Sequence, residues 1–322
     1  MKWFVLSKWF NSVIWGSVLL LSISCSKNTD TKIAVPAGGE SGTNDEKLSV
    51  LIVDGFSNHN WQVTTSIVQG LLEESGLFTV DVSTAPETAE ADGWDSWRPT
   101  FADYDVVVQN CNDIRNGPSW PKEVQESFEH YVAHGGGLYV LHSGNNAFPE
   151  WEAYNRIIGL GWRTVDFGYA ITIEDDGRIN RIPAGEGEKT SHGPRFDAVL
   201  TRHGNHPIHV GLPARWMAAD LEVYRYARGP AENLTVLSYA KDPKTQLNFP
   251  TEWVVEFGKG KVYNSTFGHI WHNDSNPPGA RCVAFQTMLV RAVEWLGRGV
   301  VTSEIPGDFP NDRAVSLVSD LP

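Results

Sequence analysis

The chemistry-bearing residues of this chain are histidines set in glycine- and asparagine-rich segments. In Val140-Leu-His-Ser-Gly144 an apolar run stops at His142 and a small pair follows, the layout of an elbow in which a strand turns sharply and lifts one side chain above a sheet. An imidazole there can act as general base or acid, because its ordinary pKa lies close to neutral pH, or it can ligate a metal; the plainer alternative is a ring hydrogen-bonded into the turn. His59 stands in Gly55-Phe-Ser-Asn-His-Asn60 after another apolar run, and His269 follows Lys261-Val-Tyr-Asn-Ser265. His192, in a glycine-rich stretch, either closes over a site or decorates the surface. His203, His206 and His209 read as structural, and His272 as a poorer candidate than His269. His59, His142 and His269 could hold zinc or another divalent metal, although no short histidine-spacing motif supports it and no metal or other cofactor is expected.

These residues need elements that bring them together. Leu48-Ser-Val-Leu-Ile-Val-Asp54 is the β-branched run of a buried parallel strand, and Val63, Ile67, Leu71 and Leu72 repeat at helical spacing until Gly76. Residues 78–82 and 104–108 read as further strands around a loop with Trp94, Trp97 and Pro99. A second helix is signalled by Ser119 as cap, by Pro121 in the first turn, by Val124, Phe128, Tyr131 and Val132 on one face and by Gly135 after its end. Residues 137–142, 234–237, 252–256 and 261–265 are strand-like, 162–212 is loop-rich with short strand-like pieces, and a last helix spans about 281–297. Strands alternating with helices predict an α/β fold with a doubly wound, mainly parallel sheet, flavodoxin-like, helices on both faces. In such sheets the loops beyond the strands' carboxyl ends form the site, which directs His59 and His142 to one edge.

The rest of the chain bounds the setting. Lys2 and Lys8, the apolar run from Val13 to Ile23 and Ser24-Cys25-Ser26-Lys27 predict a lipoprotein signal over 1–24 with Cys25 lipidated, although Ser22 stands where leucine is usual. Residues 25–47 are polar and predict a tether, 48–302 one domain, and 303–322 a proline-containing extension that lies along the surface or is disordered. The expected location is the cell envelope, with the membrane reached through the lipid anchor. The formal charge of −13 becomes −15 once Lys2 and Lys8 leave with the signal, which argues against nucleic acid as partner. If Cys25 is acylated, Cys111 and Cys282 remain, read as buried free thiols; a homodimer is left open.

Several ordered motifs together resemble one family: Leu51-Ile-Val-Asp-Gly with His59-Asn-Trp61 and Thr64-Thr65, the His142 elbow with Asn145-Asn-Ala-Phe-Pro-Glu-Trp151, residues 154–161, His192-Gly-Pro, His206-Pro-Ile with Gly211-Leu-Pro213, Tyr224 with Arg228-Gly-Pro-Ala-Glu-Asn233, and Thr266-Phe-Gly-His269. Over nearly all of 48–302 the chain is similar to trehalose-utilisation (ThuA-like) proteins. The resemblance implies a class I glutamine amidotransferase-like fold and a connection with disaccharide use. Where that fold carries a nucleophilic cysteine this chain has His142, so glutaminase chemistry is not expected. The expectation that follows is acid/base chemistry on oxidised (3-keto) glycosides, by elimination, isomerisation or hydrolysis. His142 would be the base, His59 or His269 would polarise the carbonyl or protonate the leaving oxygen, and His192 would close the site. Asn60, Trp61, Ser143, Asn145 and Tyr224 are expected sugar contacts, since sugars offer hydroxyls to polar groups and C–H faces to rings. The rival expectation is a non-catalytic surface lipoprotein that binds glycans or proteins. The family commonly has aspartate where Asn60 stands, and Thr245–Pro250 also departs from its pattern. No paired carboxylate is recognisable at the predicted edge.

Overall fold

In the computed structural model, which describes residues 46–114 and 117–322, the first apolar run forms β1 (Leu48–Asp54). The expected signal, Cys25 and nearly all of the tether lie outside the described residues. β1 pairs in parallel with β2 (Phe78–Thr84) and β3 (Val106–Gln109), so both of its faces need cover. Alternation along the strand divides the core: Val50 and Ile52 join Ile67, Val68 and Leu72 of α1 (Trp61–Glu74), whereas Leu51 and Val53 join Phe128 and Val132 of α2 (Lys122–Ala133). β4 (Gly137–Leu141) extends the parallel set beside β3. α2 begins at Lys122 with Pro121 in the capping position and no side-chain cap, which corrects the reading of Ser119 as its cap. Proline's fixed φ starts the turn unaided.

Beyond β4 the chain turns through a 3₁₀ segment (His142–Asn146) into α3 (Glu152–Ile158), a seven-residue helix too short for its periodicity to be visible in the sequence. The loop-rich stretch holds more strand than expected: β5 (Tyr169–Ile173), β6 (Ile179–Ile182) and β7 (Phe196–Arg202), followed by β8 (Arg215–Leu221) and β9 (Arg228–Gly229). β6 and β7 are half-exposed and lack the apolar runs that announce a buried strand. β10 (Leu234–Lys241), β11 (Asn248–Phe257) and β12 (Gly260–Ser265) complete a twelve-stranded sheet among the described residues. Its main path is β2-β1-β3-β4-β12-β11-β10-β7-β8, parallel as far as β12 and antiparallel beyond it. The short α4 (Pro278–Arg281) leads into α5 (Val283–Arg298), whose Met288, Ala292, Val293 and Leu296 pack into the same core cluster as α1.

Residues 303–322 run along the surface and are hydrogen-bonded to it. The Met217 amide donates to Asn311 O, Val283 to Ser316 O, and Val318 to Arg281 O, at 2.9–3.0 Å. Cys111 and Cys282 are buried free thiols. No helix among the described residues is long and apolar enough to cross a membrane.

Candidate active site

His142 ends the parallel strand β4 with a φ of +40°, a left-handed conformation unusual for a residue with a Cβ. The turn is held from below. Tyr154 Oη donates to Gly144 O at 2.7 Å and accepts from Gln109 Nε2 at 2.7 Å, both groups buried. The buried Arg163 guanidinium donates to Asn146 O, Ala147 O and Asn155 Oδ1, at 2.7–3.0 Å. Burial pushes the Arg163 pKa down to about 10, so its carbonyl partners hold a cation at a desolvation cost. Gly144 is required where it stands, because a Cβ there would meet Gln109 O at 2.8 Å.

The loops after β1, β4 and β12 bring three imidazoles together. Ring centroids lie 5.0 Å apart for His59–His142, 4.8 Å for His59–His269 and 5.0 Å for His142–His269. One nitrogen from each lies within 4.8 Å of the others. Two rings are oriented by their Nδ1: that of His142 lies 2.9 Å from Thr266 O, and that of His59 lies 2.9 Å from Asn58 Oδ1. A carbonyl oxygen can only accept, so both nitrogens carry the proton and Nε2 keeps its lone pair. Burial lowers all three pKa values: His59 to about 3, His269 to about 4, where Arg195 adds to the effect, and His142 well below its ordinary value.

A single carboxylate, which the sequence reading did not single out, completes the cluster. Glu222, directly after β8, places its oxygens 3.7 Å from His142 Nε2, 3.4 Å from His192 Nδ1 and 3.4 Å from His269 Nε2. Burial lifts its carboxyl to about 6, against the opposing pull of His192 and Arg195. Asp220 and Glu222 close the run that starts at Trp216 much as Asp54 closes Leu48–Asp54, and that strand-then-acid signature was the available signal. Arg195 was missed too: it bridges Asp220 at 2.9 Å and Asp274 at 2.8 Å and puts Nη1 3.1 Å from His269 Nδ1.

Above this cluster lies a cavity of about 490 Å³, faced by His59, His192, Glu222 and His269 and walled by Trp162 and Trp271. Tyr224 also lines it, with Oη 3.4 Å from His142 Nε2. His142 is buried beneath the lining. The His192 loop is tied to the segment after β8 by paired Ser191–Arg225 backbone bonds at 2.8 and 3.1 Å, and Arg225 is itself bridged to Asp242 at 2.8 Å. The remaining expected contacts do not line the cavity. Asn60 caps α1 by accepting from the Val63 amide at 3.4 Å, and Trp61 begins that helix. Ser143 is buried against Ser57, Oγ to Oγ 3.5 Å, and the Asn145 amide is buried with no hydrogen-bond partner in the protein. His206 accepts from the Ile208 amide at 3.4 Å, His209 faces Glu252 at 3.4 Å, and His203 contacts Val236 O and Gly177 O at 3.2 and 2.9 Å. His272 is exposed.

Comparison with known proteins agrees with this architecture. A ThuA-like protein from Parabacteroides merdae is 32% identical, with 85% of this chain and 98% of that one covered and a TM-score of 0.78. A ThuA-like protein from Bacteroides uniformis, 16% identical, shares the fold at a TM-score of 0.52 over 83% of this chain and 98% of that one. No curated protein matches. The sequence pattern of the ThuA family, described as trehalose utilisation, matches residues 49–296, which spans β1 to α5 and every residue of the histidine–glutamate cluster; the chain therefore belongs to the ThuA family.

Proposed function

We propose that this cavity processes oxidised (3-keto) glycosides or disaccharides by acid/base chemistry, without glutaminase activity. The observation that carries the reading is the Glu222 carboxylate, raised to about 6 by burial and held within 3.4–3.7 Å of three imidazoles at the floor of a tryptophan-walled cavity. A base with that pKa is about nine-tenths ionised at pH 7 yet still basic enough to take a proton, and aromatic walls beside polar groups suit a sugar ring. The proton acceptor in this reading is Glu222 rather than His142, because His142 lies beneath the lining and burial makes its ring a weak base.

In a 3-keto-glycoside the ketone acidifies the proton on carbon 2. Glu222 accepts that proton, and the electron pair left behind forms the double bond between carbons 1 and 2. The glycosidic bond at carbon 1 then breaks, its pair passing to the leaving oxygen, which takes a proton from His192 or solvent. Tyr224, whose hydroxyl lines the cavity and can donate, stabilises the charge that develops on the ketone oxygen. The same groups serve isomerisation or hydrolysis, and product identity separates the three. Trehalose utilisation as the family's description supports a disaccharide-derived substrate, and an envelope lipoprotein anchored through Cys25 is the setting we propose for it.

The test is incubation of the purified chain with 3-keto-trehalose and 3-keto-glucosides, with products followed by NMR. Turnover that falls about 10²- to 10⁴-fold in Glu222→Gln supports the reading. Saturable sugar binding with no chemical change would replace it with the non-catalytic glycan-binding alternative.

A further inference from the structure

We infer that His59, His142 and His269 form a binding site for a divalent first-row transition metal of the zinc class, with Glu222 beside its open coordination position. The three side chains come from the carboxyl ends of β1, β4 and β12 and converge as a near-equilateral triangle with ring centroids 4.8–5.0 Å apart. Their nearest nitrogens already lie within 4.8 Å of one another. An inward shift of roughly 1 Å per ring would bring them to the zinc–imidazole bond length of about 2.0–2.1 Å.

The surroundings are those of a ligand set. The His142 ring is fixed by the Thr266 carbonyl, and the His59 ring by Asn58 Oδ1, which also accepts from Asn112 Nδ2 at 2.9 Å. Such outer partners set the tautomer so that Nε2 faces the ion. Around His269, Arg195 Nη1 has two hydrogens and two carboxylate acceptors, Asp220 and Asp274, at 2.9 and 2.8 Å. Asp274 Oδ2 stands 4.0 Å from His269 Nδ1, outside hydrogen-bond range, so a metal on Nε2 requires this ring to shift toward that acceptor. Three uncharged nitrogen donors and one adjacent carboxylate, with no thiolate, select a borderline cation over calcium or magnesium. Three protein ligands leave a position facing the cavity, as in catalytic rather than structural zinc sites. An ion there would polarise any carbonyl or water presented to it, so the inference bears on the sugar reading without resting on it.

The exposed His130 on α2 and His134 directly after it, stacked at 3.8 Å, could also capture zinc, so the test uses the full chain carrying His130→Ala and His134→Ala and no histidine tag. After treatment with chelator and dialysis, zinc chloride is titrated calorimetrically and bound zinc is measured by mass spectrometry. One cation per chain is expected, with affinity falling at least about tenfold in His59→Gln and in His269→Gln. X-ray absorption on the cobalt-loaded chain without pocket substitutions counts imidazole ligands directly, whatever the variants do to folding, and three are expected. No zinc uptake, unchanged affinity in both variants, or fewer than three imidazoles on cobalt would overturn the assignment. None of these readouts depends on turnover.

Discussion

Replacing Tyr154 by phenylalanine removes one oxygen atom and leaves the ring in place, which isolates what the strut beneath the His142 turn contributes. The lost Oη bridges two groups that have no access to solvent, Gln109 Nε2 and Gly144 O, each at 2.7 Å. Gly144 O keeps the Ala147 amide as a donor at 3.2 Å, so Gln109 Nε2 is the group left orphaned, and an orphaned buried donor predicts a loss of about 1–3 kcal/mol. For a domain of this size about 2–4 °C of melting temperature accompanies each kcal/mol, which gives a fall of roughly 2–12 °C. Calorimetric or circular-dichroism melting measures it, with Tyr104→Phe as control. Tyr104 Oη donates to Asp81 at 3.0 Å in an exposed setting, where the loss should stay within about 0.5 kcal/mol. If the two variants melt together, the strut carries no strain-bearing bond and the account of the elbow is wrong.

Gly55 has a φ of +129°, and a Cβ there would stand 2.1 Å from Ala85 O, so Gly55→Ala should cost more than about 3 kcal/mol by denaturant titration, whereas Gly76→Ala, at φ +74° with open space around it, should cost about 1 kcal/mol. His206 is held at about 4 by burial first and His209 second; the unfolded chain takes up a proton below its ordinary 6.5, so the stability linked to this group is present above 6.5 and is lost as pH falls toward 4. His206→Asn keeps an acceptor for the Ile208 amide without titrating, and its melting temperature should fall less than the parent's between about pH 7 and pH 5; an equal fall would refute the assignment. Trp271 stacks on His269 at 5.9 Å and walls the cavity, so Trp271→Ala should raise KM about tenfold with a smaller change in kcat, read from steady-state kinetics on the keto-sugar.

The parallel half of the sheet was legible because its inner strands β1, β3 and β4 are buried on both faces and are written as apolar runs, Leu48–Asp54 being the clearest. The convergence of His59 and His142 was legible from topology alone, since both follow strands of that half. Glu222 was not, because it follows β8 at the far antiparallel end, and the β7–β8–β10 pairing that carries it toward the cluster depends on long-range contacts between half-exposed strands. Asn60 misled for a local reason: beside a functional histidine it looks like a ligand contact, but its side chain is engaged in starting α1. Arg195 gave no signal because its role is set by Asp220 and Asp274, far from it in sequence.

The position of β12 has a consequence for how the cluster comes into being during synthesis. β12 is the seam at which parallel pairing gives way to antiparallel, and His269 follows it, 127 residues after His142 and 210 after His59. A ribosome must therefore deliver all twelve strands of the sheet before the third imidazole exists. A chain broken off between β4 and β12 carries at most two of the rings and leaves the β4 edge without its β12 partner, so it cannot assemble the three-imidazole cluster.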